Sequence, residues 1–115
     1  MTTVVDYAEA ITKAGGNAQL AKELFSMLLQ ELPLLRDKLQ NAIAEEDLQA
    51  MWNHAHKIYG STAYCGVPLL RQVASEMETV VRGKELAAIR QQYEVLDKAI
   101  QQILAQGTEH LAKAW

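Results

Sequence analysis

The stretch from Leu86 to Ile103, LAAIRQQYEVLDKAIQQI, decides the fold class. Its apolar residues Leu86, Ile89, Tyr93, Leu96, Ile100 and Ile103 step alternately by three and four. That spacing lines one face of an α-helix and fits no face of a strand. Gly107 reads as the end of this helix, leaving Thr108–Trp115 as a tail expected to fray. Moving back along the chain, Pro68 follows Gly66-Val67 and suits the first turn of another helix. Its inward face is Leu70, Val73, Met77 and Val80 or Val81, and Gly83 closes it. Before that, the turn Glu45-Glu46-Asp47 leads into a helix beginning near Leu48, with Leu48, Met51, Ala55, Ile58, Thr62 and Cys65 on one face. Further back still, Leu20, Leu24, Leu28, Leu35, Leu39 and Ala42 or Ile43 form a stripe that starts at Ala18 behind an Asn17 cap. Pro33 falls within this stripe, which resumes in phase beyond it, so a kink is expected and not a break. A short helix near Val4–Lys13, ended by Gly15-Gly16, completes the set. Four long amphipathic helices on short connections bury their stripes best as an antiparallel four-helix bundle. The fold predicted is all-α: that bundle, with a short additional N-terminal helix capping one end.

The whole chain agrees with its most regular stretch. Its 115 residues leave room for one domain, 1–115, with a core of about 17–107. It is 50% hydrophobic and 22% charged, a globular balance, and holds only two prolines and six glycines. Eleven basic against fourteen acidic residues give a net charge of −3, and no basic stripe occurs, which argues against a nucleic-acid partner. One cysteine, Cys65, excludes an internal disulfide and suits a reducing compartment. No apolar run approaches the ~18 residues that span a bilayer. The opening MTTVVDYAEA has no basic region followed by an apolar one, so no secretory signal is expected. The chain is expected to be cytoplasmic, without direct membrane contact, and a closed bundle predicts a monomer.

Glycine-rich phosphate loops, GxSxG, HExxH and CxxC are all missing, which removes the usual markers of nucleotide hydrolysis, acyl transfer and zinc proteolysis. Chemistry concentrates instead in Trp52–Ser61, WNHAHKIYGS. His54 and His56 lie about 200° apart around a helix and cannot chelate one metal. No Glu-x-x-His pair supports a metal or cofactor bundle, and His110 falls in the expected tail. No metal site is predicted. Gly60 is the telling residue, because glycine inside a helix costs about 1 kcal/mol relative to alanine. It lies four residues after His56, on the same face, and strips that surface of side chain beside the imidazole. The alternative is that Gly60 allows close helix packing beside an ordinary surface histidine. His54 has no such clearance and reads as structural.

The run HKIYGSTAYCGVPLL, from His56 to Leu70, resembles the phosphoacceptor motif of histidine-phosphotransfer (HPt) domains: a histidine, a glycine four residues later, a small residue, and a second glycine ten after the histidine. It is especially similar to the C-terminal HPt domain of tripartite hybrid sensor histidine kinases of the BarA/GacS type. The resemblance implies a phosphorelay intermediate that accepts a phosphoryl group from a receiver-domain phospho-aspartate and passes it to another receiver. It implies no cofactor on this chain, Mg²⁺ on the partner receiver, and no ATP-dependent kinase activity. It also implies a cytoplasmic place, either as a free-standing protein or, as the similarity to hybrid kinases favours, as the cytoplasmic C-terminal domain of an inner-membrane sensor kinase. Carried over by position, His56 is the phosphoacceptor and Gly60, followed by Ser61, the clearance. Glu78, 22 residues on, stands where relatives often have a glutamine that bonds the imidazole. Tyr59 stands where many relatives have lysine; here the lysine is Lys57, about 100° around the helix, and its long side chain would curl back to meet the phosphoryl oxygens as a candidate catalytic residue. Trp52 and Tyr59 suit a docking surface. The rival reading is a non-catalytic interaction module that docks a partner through the Trp52 and Tyr59 face.

Overall fold

The computed structural model describes residues 3–115, and the first two positions of the predicted domain lie outside it. Five helices follow in order, with no strand among the described residues: α1 (Tyr7–Lys13), α2 (Ala18–Ala44), α3 (Leu48–Ser61), α4 (Pro68–Arg82) and α5 (Leu86–Ala112). Three starts are written in single residues. Asp6, Asn17 and Asp47 each accept a hydrogen bond from the backbone N–H three residues on, at 3.0 Å. Each bond satisfies a donor that the first helical turn leaves without a partner. The Asp6 cap sets the start of α1 at Tyr7, so this helix is shorter than the Val4–Lys13 span read from sequence. Pro68 occupies the first turn of α4, as expected.

Helices α2 and α5 have 27 residues each, about 40 Å at 1.5 Å per residue, and they define the 42 Å long axis of the molecule. With 14 and 15 residues, α3 and α4 reach about half as far. Successive helices pack side by side and α5 closes the ring against α2, giving the antiparallel four-helix bundle. Below the α3–α4 turn the lower ends of α2 and α5 need another cover, and α1 supplies it. The backbone pins it there: the Asp6 N–H donates to the Gly66 carbonyl at 2.8 Å, and the Leu69 N–H to the Thr3 carbonyl at 3.2 Å. Gly66 has φ +63°, and a Cβ there would stand 2.5 Å from the Asp6 carbonyl oxygen and 2.6 Å from Ala10 Cβ. Glycine is required on conformation and on space together.

The core is built from Phe25, Leu32, Leu39, Met51, Ile58, Leu70, Met77, Ile89, Leu96 and Ile100, all fully buried. Two expectations change. Leu20, placed in the α2 stripe, is 40% exposed; the buried face runs through Ala21, Phe25, Leu28, Leu32, Leu35 and Leu39. Leu20 belongs to a second stripe that repeats every seven residues through Met27 and Leu34, on the outside. Gly107 does not end α5, which continues to Ala112. It is buried, and a Cβ there would lie 2.7 Å from Leu29 Cδ1, so it lets α5 lie close on α2. Beyond it, in the segment expected to fray, His110 Nδ1 hydrogen-bonds the Tyr7 hydroxyl. The Trp115 ring sits 5.0 Å from that of Tyr7 and 5.4 Å from that of Phe25. Thr62 and Cys65, read as continuing the α3 face, lie just past its end but are buried as expected.

Candidate functional site

His56 stands midway along α3, on the flank between α2 and α4, with its side chain 56% exposed. Two neighbours hold its ring. Nδ1 lies 2.7 Å from Glu78 Oε1 of α4. An ionised carboxylate only accepts hydrogen bonds, so Nδ1 carries the proton and donates it. In the neutral ring this leaves Nε2 as the unprotonated nitrogen. Across the ring's face lies Trp52, one helical turn earlier, with centroids 4.7 Å apart and planes inclined by 8°. The four-residue spacing puts the two rings over one another. Held at an edge and a face, the imidazole has one orientation, with Nε2 pointing away from Glu78.

On the α2 side, a Cβ added to Gly60 would meet nothing within 4 Å. The glycine therefore serves no close helix packing, and the packing alternative falls. It opens on a shallow groove of about 140 Å³ bordered by Ser61, Met27, Glu31 and Tyr64. The Ser61 hydroxyl is turned inward, donating to the Ile58 carbonyl at 2.7 Å. Met27, Leu34 and Tyr64 are large apolar residues, 54%, 58% and 62% exposed; Met27 and Tyr64 border the Gly60 groove, and Leu34 borders the groove of Lys57. Lys57 lines a neighbouring groove with Glu31, Leu34 and Lys38, on the α2 side.

On the α4 side, Tyr59 is half-buried beneath Arg71. The guanidinium carbon lies 4.5 Å from the ring centroid, one nitrogen donates to the tyrosine hydroxyl at 3.0 Å, and another to Thr62 Oγ1 at 3.4 Å. His54 lines a separate groove with Lys38, Asn41 and Glu45. Burial pushes the Cys65 thiol up to about 11, which leaves it protonated and unreactive near neutrality. Among the described residues no group of three His, Cys, Asp or Glu side chains could hold a metal ion.

The structure thus brings His56, Trp52, Glu78 and Gly60 together, places Tyr59 under Arg71, and turns Lys57 toward α2. Sequence reasoning missed the exposed apolar group of Met27, Leu34 and Tyr64. The available signal was the seven-residue repeat of Leu20, Met27 and Leu34, out of phase with the core stripe.

A family model described as the Hpt domain matches residues 23–106. The sensor protein GacS of Pseudomonas syringae pv. syringae is 35% identical over 97 residues, covering 84% of this chain and 11% of that protein. The signal transduction histidine-protein kinase BarA of Escherichia coli K12 is 30% identical over 79 residues, covering 69% of this chain and 9% of that protein. The chain therefore spans about a tenth of the length of the curated relatives it matches. The crystal structure of the HPT domain from an Hpt sensor hybrid histidine kinase of Shewanella superposes with a TM-score of 0.64 at 26% identity, covering 90% of this chain and 95% of that one. No helix among the described residues is long and apolar enough to cross a membrane.

Proposed function

The chain belongs to the Hpt domain family, and from that premise we propose that it is a phosphorelay intermediate. It takes a phosphoryl group from the phospho-aspartate of one receiver domain onto His56 and hands it to the aspartate of another. The observation that carries this reading is an imidazole bonded through Nδ1 to Glu78, with Nε2 turned away beside the bare surface at Gly60.

The Nε2 lone pair attacks phosphorus in line with the bond to the aspartyl oxygen. The N–P bond forms as the P–O bond breaks, and the aspartate leaves as a carboxylate with the bonding electrons. The Nδ1 proton stays on the ring, and the positive charge that builds there faces the Glu78 carboxylate, which favours it. Return of the phosphoryl group to a second aspartate runs the same events backward. Trp52 keeps the ring from turning, and Gly60 leaves room for the receiver to come close. Met27, Leu34 and Tyr64 supply apolar docking area, as such exposed patches commonly do. The receiver brings the Mg²⁺ that neutralises the phosphoryl oxygens; this chain's residues contribute the nucleophile and its orientation, and no ATP chemistry. The domain works as a monomer in the cytoplasm.

The test is transfer from a radiolabelled phospho-receiver to the unmodified chain, His56→Gln and His54→Gln. Acid-labile, base-stable label is expected on the unmodified chain and His54→Gln and none on His56→Gln. Label retained by His56→Gln would move the nucleophile elsewhere. Binding without label on any form would instead support the non-catalytic docking module.

A further inference from the structure

Resting on the phosphorelay reading, we propose that Arg71, laid on the ring of Tyr59, is the cation with which this domain recognises a carboxylate on the rim of its receiver partner.

Arg71 is half-buried, and the groups it stacks on and bonds to are neutral: the Tyr59 ring and hydroxyl and the Thr62 hydroxyl. Arg36 and Arg90 each have a carboxylate within ion-pair distance, whereas the half-buried Arg71 and the exposed Arg82 have none among the described residues. The cation–π contact and the two hydrogen bonds fix the guanidinium in place without neutralising its charge. The guanidinium has five N–H donors in a planar fork. Two of them serve Tyr59 and Thr62, and the rest are available in an orientation the tyrosine has already set. A fork held this way loses little freedom when it meets a carboxylate, which is what makes arginine suited to bidentate recognition.

Its place in the fold ties this cation to His56. Tyr59 lies three residues after His56 and so shares its flank. Arg71 lies seven residues before Glu78, two turns along the same face of α4, or about 10 Å. His56 is thus flanked by an apolar group on the α2 side (Met27, Leu34, Tyr64) and by a fixed cation on the α4 side. The surroundings call for one. The chain has a net charge of −3, and Glu78 already places an anion against the ring. A partner arriving with a phosphorylated aspartate adds more negative charge at the contact. Lys57 lies on the other side of His56, lining the α2 groove with Glu31 and Lys38. Tyr59 and Arg71 together therefore do, from two helices, what a lysine three residues after the histidine could do from one. A receiver is selected by whether it offers a carboxylate on this side.

The experiment measures transfer from a radiolabelled phospho-receiver over a range of receiver and salt concentrations, with phosphoramidate as a small phosphodonor in parallel. Arg71→Glu is expected to raise the receiver concentration giving half-maximal rate by about tenfold and to flatten its salt dependence. The maximal rate and the labelling of His56 by phosphoramidate should stay within about twofold of the unmodified chain. Arg71→Lys, which keeps the charge and loses the fork, should fall between. Arg71→Gln carries the same test with less risk to folding, which circular dichroism checks. Unchanged half-saturation and salt dependence in Arg71→Glu and Arg71→Gln, with His56 labelled by both donors, would overturn the role of Arg71 alone. Absence of His56 label from both donors in the unmodified chain would overturn the phosphorelay reading itself, so the two failures are told apart.

Discussion

Each neighbour of His56 can be removed separately, because each acts through a different property. Glu78→Gln keeps an oxygen that can accept the Nδ1 proton but discards the charge facing the developing imidazolium. It should slow transfer at saturating phospho-receiver by about tenfold, and Glu78→Ala, which discards the acceptor too, should slow it further. Gly60→Ala separates clearance from packing. A Cβ there enters open space, so helix propensity alone should raise stability to denaturant by up to about 1 kcal/mol. Transfer from a receiver should nevertheless fall, because the methyl group stands where the partner must approach. A variant that is both more stable and equally active would remove Gly60 from the site. Cys65 supplies a pH signature with no link to transfer. Its thiol is pushed from 9.0 to about 11 by burial, so above pH 9 the unfolded chain loses a proton that the native state still holds. The stability conferred is complete below pH 9 and drains away as pH rises toward 11, by at most about 3 kcal/mol. Thermal melts across that window should show the loss, and Cys65→Ala should show less of it.

At the scale of helices, short-range signals were legible and cross-helix ones were not. Asn17, Asp47 and Pro68 act within one turn of themselves, and the starts of α2, α3 and α4 follow from them, whereas the Asp6 cap went unread and α1 was started three residues early. Leu20 misled because α2 carries two apolar stripes and periodicity alone does not say which one faces inward; the neighbouring helices decide that. Gly107 looked like a terminator because its partner, Leu29, lies 78 positions earlier and nothing local announces it. The site divides in the same way. The spacing of His56 and Gly60 is local and visible, and Glu78 was found only because a family pattern points 22 residues ahead. The Arg71–Tyr59 pair had no sequence signal beyond two residue types. Gly66 is where two elements depend on one residue. Gly66→Ala forces a side chain into a left-handed conformation and against the Asp6 carbonyl, and neither backbone can yield. It should cost about 2–4 kcal/mol in denaturant unfolding, with the loss concentrated in protection of α1 from hydrogen exchange.

Over the whole molecule, half-length α3 and α4 make both ends of the chain necessary to the lower part of the bundle. Tyr7, Phe25, His110 and Trp115 meet there from α1, α2 and the end of α5. Removing residues 108–115 should therefore lower the melting temperature by several degrees, about 2 kcal/mol of lost aromatic packing. His56, higher on the bundle, should keep its reactivity toward a phospho-receiver. A tail that contributes nothing would leave the melt unchanged. The position of the acceptor on an open flank has a different kind of consequence. In the proposed relay the nucleophile, His56, lies on one exposed flank, and two receivers that must both reach it there cannot be seated together. Donor and acceptor must come and go in turn, with the phosphorylated domain free in between. Initial rates should then trace parallel lines in double-reciprocal plots, and an unphosphorylated donor in excess should compete with the acceptor. Throughput along such a relay is governed by how long each visitor stays.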